Sequence, residues 1–117
     1  MTIEVTEEIR STARIVSIAG ELDLEGAPTA RGVFEGASSD GGRALVVDLT
    51  ACTFIDSTGI SAIVSAARPL QNGQAKVAIA ALHGSEPRRA LELAGIDLSI
   101  VVADTLEEAV SAATSTD

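Results

Sequence analysis

The 117-residue chain sets 8 Lys and Arg against 17 Asp and Glu, a formal charge of −9, which disfavours the phosphate surfaces of nucleic acids and anionic membranes and favours a partner with a basic face. Its length suits one core, and with 46% apolar residues but only two aromatics, Phe34 and Phe54, that core has to be built from Val, Ile, Leu and Ala. The single cysteine, Cys52, excludes an internal disulfide and a multi-cysteine metal site, and no apolar run approaches the ~18 residues of a membrane span. Glu4, Glu7 and Glu8 leave no apolar targeting core near the start, so the expectation is a soluble cytoplasmic chain with one domain over residues 1–117.

Ile3 to Ile9 alternates weakly among acidic residues and reads as an edge strand. Ala13 to Ala19 is a stronger strand of small and β-branched residues, and the two form a hairpin across Arg10-Ser11-Thr12. Gly20-Glu21-Leu22-Asp23 ends the second strand and places Asp23 on a strand-to-helix loop. Gly26-Ala27-Pro28 then starts a helix that runs to about Ala37, with Ala27, Ala30, Phe34 and Ala37 on one stripe. A break at residues 38–42 returns the chain to the sheet. Ala44-Leu45-Val46-Val47 is continuously apolar, as expected of a central strand covered on both faces.

A short connection through Cys52 leads to Asp56, the expected N-cap of a helix with Ile60, Ile63, Val64, Ala67 and Leu70 along one side, stopped by Pro69, Asn72 and Gly73. Ala75 to Ala81 is the next strand, and Ser85-Glu86-Pro87 caps a helix closed by Gly95. Ile96 to Val102 reads as a last strand. Asp104-Thr105-Leu106-Glu107 begins a last helix, and residues 114–117 form a frayed tail. The order ββαβαβαβα predicts an α/β fold, a mixed and mostly parallel sheet with helices packed on it. In such sheets the loops at the carboxyl ends of the strands form the binding face, and Asp23 and Ser57 both lie on loops of that kind.

Little catalytic chemistry fits. The only histidine, His83, is expected in an exposed loop, and Gly59-Ile60-Ser61-Ala62-Ile63 breaks the G-x-S-x-G pattern of a hydrolase elbow. Neither familiar glycine-rich nucleotide loop is present, so no cofactor is expected. Asp23, Asp48 and Asp56 could offer oxygen ligands, but isolated carboxylates at helix starts are more often caps than metal ligands. Asp56 as a phosphorelay acceptor would need an acidic pair after the first strand and a lysine after a late one, whereas Lys76 stands near the start of its strand. What remains is the hydroxyl pair Ser57-Thr58 before Gly59, at a helix N-terminus. Unpaired N–H groups and the helix dipole would favour a phosphate there, and Gly59, without a side chain, would leave room for another protein's active site.

Gly20-Glu21-Leu22-Asp23, Val47-Asp48-Leu49 and Phe54-Ile55-Asp56-Ser57-Thr58-Gly59-Ile60 together resemble the STAS domain of bacterial anti-sigma-factor antagonists, over nearly the whole chain. The resemblance implies a regulator of transcription, in stress response or sporulation, that works by partner switching and is not an enzyme. The unphosphorylated antagonist binds an ATP-dependent serine-kinase anti-sigma factor and frees its sigma factor; the kinase phosphorylates the antagonist, and a serine phosphatase resets it. Carried over by position, the phosphoacceptor is Ser57, with Thr58 a weaker candidate, and Asp23, Asp56, Thr58 and Gly59 belong to the partner-binding surface of a monomer or weak dimer. The alternative is a STAS-type scaffold subunit of a sensory complex or transporter that needs no phosphorylation.

Overall fold

The computed structural model describes residues 3–38 and 43–115. The elements are β1 (Ile3–Arg10), β2 (Ala13–Leu22), α1 (Ala27–Ser38), β3 (Ala44–Asp48), β4 (Cys52–Ile55), α2 (Ser57–Asn72), β5 (Val77–Ala80), α3 (Glu86–Leu93), a 3-10 turn (Ile96–Leu98), β6 (Val101–Ala103) and α4 (Leu106–Thr114). β1 and β2 pair antiparallel from Ile3 opposite Gly20 to Arg10 opposite Ala13, with Ser11 at φ 58° in the turn. All other pairings are parallel, in the order β1-β2-β3-β5-β6, and β4 lies beside the far end of β2. The fold is α/β with a mixed, mostly parallel sheet, as the element pattern predicts.

The continuous apolar run of β3 explains the layering. Leu45 and Val47 face a core shared with Phe34 of α1, Ile63 and Leu70 of α2 and Leu91 of α3, while Ala44 and Val46 face Ala109 and Ala113 of α4. The second face is paved with Ala13, Ala44, Ala78 and Ala80, small enough for a single helix to lie close on it. Burial of side chains this size contributes roughly 25 cal/mol per Å² of apolar area, and an apolar cluster on each face holds the sheet between them. No helix among the described residues is long and apolar enough to cross a membrane.

Several expectations need correction. The connection through Cys52 is itself a strand, β4, defined by its parallel pairing with Gly20, Glu21 and Leu22 rather than by any alternation of its own. β2 accordingly does not end at Ala19; it passes a register shift at Gly20, whose φ of 97° suits glycine, and runs to Leu22. α2 ends at Asn72 with Gly73 as its C-cap, as expected, but Pro69 lies inside it, and the carbonyl that loses an N–H partner belongs to Ser65, an exposed residue. The strand expected over Ile96 to Val102 is a 3-10 turn followed by only three β residues.

α4 is capped by Thr105, whose Oγ1 accepts from Glu108 N–H at 3.1 Å, one residue later than expected, and it includes Thr114. Of the break at 38–42 only Ser38, the end of α1, lies within the described residues, and of the tail 116–117 lie outside them.

Candidate functional site

β2 and β4 run parallel with Leu22 opposite Ile55, so the residues that follow, Asp23 and Asp56, leave adjacent strands at the same level. The Asp56 N–H donates to Leu22 O at 3.3 Å and ties the two exits together. At the second exit Asp56 is extended (φ −111°, ψ −174°), and its Oδ1 accepts from the N–H groups of Thr58 at 3.0 Å and Gly59 at 3.1 Å. Its carbonyl accepts the Ile60 N–H at 3.0 Å and starts the helix. At the first exit Asp23 Oδ1 accepts from Glu25 N–H at 3.1 Å and Gly26 N–H at 3.0 Å, and its carbonyl from Ala27 N–H at 2.8 Å. Asp23-Leu24-Glu25-Gly26 and Asp56-Ser57-Thr58-Gly59 are thus the same turn built twice.

Ser57 is the first residue of α2 and is exposed, while Thr58 is half-buried; neither hydroxyl has a hydrogen-bond partner among the described residues. Two sequence-based expectations for this turn do not hold. The Thr58 and Gly59 N–H groups are not free for an added anion, since the Asp56 carboxylate already holds both. Nor does Gly59 open a path for a partner: it is buried, and a Cβ there would lie 2.4 Å from Leu22 O, 2.8 Å from Leu22 Cγ and 2.9 Å from Ile55 Cγ1. Its missing side chain lets α2 seat against the end of β2.

The other candidates fall away from Ser57 or into local roles. Asp48 accepts from Ser17 Oγ at 3.2 Å and from Thr50 N–H and Oγ1 at 3.0 and 2.7 Å, which holds the step from β3 toward β4. His83 is exposed, and its main-chain N–H donates to Asp104, which also takes Arg88 at 3.2 Å. Lys76 stands before Val77 at the amino end of β5 and donates to the Ser115 carbonyl, at the opposite end of the parallel sheet from Asp56. Among the described residues no group of three or more His, Cys, Asp and Glu is placed to hold a metal. Cys52 is buried and donates to Phe54 O at 3.2 Å; burial pushes its thiol pKa up, opposed by backbone hydrogen bonds at Phe54 and Leu22, so it remains a neutral thiol at neutral pH.

Sequence reasoning missed Leu24. It occupies in the first turn the position of Ser57 in the second and is 72% exposed, an apolar side chain displayed beside a hydroxyl. The signal was the repeat of Asp-x-x-Gly after two strands, hidden because only one copy carries hydroxyls.

A mixed sheet whose carboxyl end presents paired Asp turns, one of them with a bare serine, agrees with a known domain class. The chain belongs to the STAS domain family, whose sequence model matches residues 2–109. It is similar to the anti-sigma-F factor antagonist RsfB of Mycobacterium tuberculosis, 29% identical over 110 residues that cover 94% of this chain and 88% of RsfB. A crystal structure of an anti-sigma factor antagonist from Mycobacterium paratuberculosis superposes with a TM-score of 0.90 at 27% identity, covering 97% of this chain and 96% of that one. The Bacillus cell fate determinant SpoIIAA, in its phosphorylated form, shares the fold with a TM-score of 0.66 at 22% identity, covering 92% and 97%.

Proposed function

We propose that this protein is an anti-sigma-factor antagonist, a cytoplasmic binding protein rather than an enzyme, that acts as one STAS domain and is switched by phosphorylation of Ser57. Unphosphorylated, it binds a serine-kinase anti-sigma factor and frees the sigma factor; the kinase adds the phosphate from ATP, and a serine phosphatase removes it. The observation that carries the reading is Ser57 itself: an exposed hydroxyl without a partner among the described residues, at the first position of α2, directly after Asp56, which leaves its strand level with Asp23. Thr58 is the poorer acceptor because it is half-buried. Similarity to RsfB, and a shared fold with a protein known in a phosphorylated form, support the same reading.

The energetics suit a switch. Phosphate adds about −1.5 to −2 charges at pH 7. An interface closed over a neutral Ser57 would have to strip water from that charge and find room for its bulk, and a cost of roughly 3 kcal/mol or more is a loss of more than about a hundredfold in affinity. The partner surface comprises Asp23, Leu24, Asp56, Ser57 and Thr58, with Gly59 beneath it as support.

The test is a pull-down from the native cell with wild-type and Ser57→Asp bait, followed by incubation of the captured kinase with ATP. Recovery of the kinase by the wild type alone, with one phosphoryl group confined to Ser57, is the expected result. Equal capture by both baits, or labelling that persists in Ser57→Ala, defeats the assignment.

A further inference from the structure

A phosphoserine at the first turn of a helix ordinarily settles onto the free N–H groups there, which hydrogen-bond it and offset part of its charge. In α2 those groups are committed. Among the N–H groups of Asp56, Ser57, Thr58 and Gly59, Asp56 donates to Leu22 O, and Thr58 and Gly59 donate to the Asp56 carboxylate. Only the Ser57 N–H is uncommitted among the described residues.

We propose that Asp56 is a positioning residue that denies a Ser57 phosphate the Thr58 and Gly59 N–H groups and turns it outward as a hydrated dianion with no backbone donor but its own. The proposal rests on the reading of Ser57 as phosphoacceptor. Two features of the fold carry it. The Asp23 turn makes the same three hydrogen bonds with a leucine in the equivalent position, so the set does not depend on what projects between its ends. Gly59, for its part, has Leu22 O where a Cβ would lie, so α2 is seated close on the end of β2 with its Thr58 and Gly59 N–H groups on the Asp56 carboxylate.

A phosphate that displaced Asp56 would strand a carboxylate without its two donors beside a second anion, with Asp23 on the neighbouring turn adding to the repulsion. The outward phosphate stands where a partner fitted to the bare serine would have to dehydrate it, and it stays within reach of a phosphatase. The cap that shapes the unphosphorylated turn therefore also sets how the modified one is read.

The test needs no kinase. Phosphoserine is installed at position 57 during translation in the native chain, in Asp56→Asn, which keeps a capping oxygen, and in Asp56→Gly, which frees both N–H groups. In amide proton spectra, phosphorylation is expected to leave the Thr58 and Gly59 resonances in place in the native chain and in Asp56→Asn, and to move both downfield in Asp56→Gly. Alkaline phosphatase should release phosphate from the native chain about fivefold faster than from Asp56→Gly, the factor expected from one helix-terminus interaction. Downfield movement of both resonances in the phosphorylated native chain overturns the proposal, and this arm decides even if Asp56→Gly does not fold. Failure of the kinase assignment alone would leave these spectra unchanged, so the two readings fail separately.

Discussion

The two strand-to-helix turns at the carboxyl end of the sheet share a backbone and differ in what they show to solvent. Asp23 and Asp56 each fold their carboxylate onto the N–H groups two and three residues ahead, and each turn ends on a buried glycine. Between those fixed points the first turn presents Leu24 and the second presents Ser57. The difference teaches a division of labour: the Asp and Gly positions build the turn, and the exposed residue after each Asp takes no part in holding it. One mount carries an exposed leucine and the other an exposed serine hydroxyl.

Glycine substitutions should separate the two mounts most strongly. An added Cβ at Gly59 meets the Leu22 backbone oxygen at 2.4 Å, which cannot yield without moving β2, so Gly59→Ala is expected to cost about 3 kcal/mol or more in urea unfolding. At Gly26 the nearest atoms are Glu21 O at 2.8 Å and the movable end of Ile3 at 3.0 Å, and the expected cost is about 1–2 kcal/mol. Equal costs would break the comparison.

Removing the carboxylates comes next. Asp23→Ala and Asp56→Ala should each lose about 1 kcal/mol, with the Asn variants within a few tenths of the native chain, because each carboxylate satisfies two N–H groups at matching distances. A loss confined to Asp56 would mean that the first turn is held by something else. The smallest change in stability belongs to Leu24→Ala, under about 0.5 kcal/mol because the side chain is 72% exposed. Under the proposed function that variant nonetheless weakens binding to the anti-sigma factor by about tenfold in a titration, and unchanged affinity would remove Leu24 from the proposed partner surface.

Much of this was legible in the sequence. The apolar run of β3, the stripe of α2 and the Asp56 cap follow from local rules, and together they set the alternation of strands and helices. The Ser57 position was legible for the same reason. What escaped depends on partners remote in sequence. Cys52 to Ile55 show a burial pattern with only the end residues inside, so β4 is visible only once Glu21 and Leu22 lie beside it. Gly59 looked like an opening because its neighbour across the gap, Leu22 O, is contributed by another strand. The commitment of the N–H groups of α2 was half visible: the cap was named from the sequence, but its two bonds and their duplication at Asp23 appear only in the structure.

The Leu22 carbonyl has a wider consequence. It accepts the Asp56 N–H and fills the space beside Gly59, so the exit of β2 and the start of α2 rest on one atom. Loops that bind partners usually surrender conformational entropy when they dock, and ordering each long side chain or mobile turn weakens association by roughly 0.5–1.5 kcal/mol. Here the backbone that carries Leu24 and Ser57 is held by the hydrogen bonds of the two Asp turns without a partner, so less of that entropy would remain to be lost on docking. A small acidic domain that binds through a few exposed side chains would in this way keep more of their contact energy as affinity.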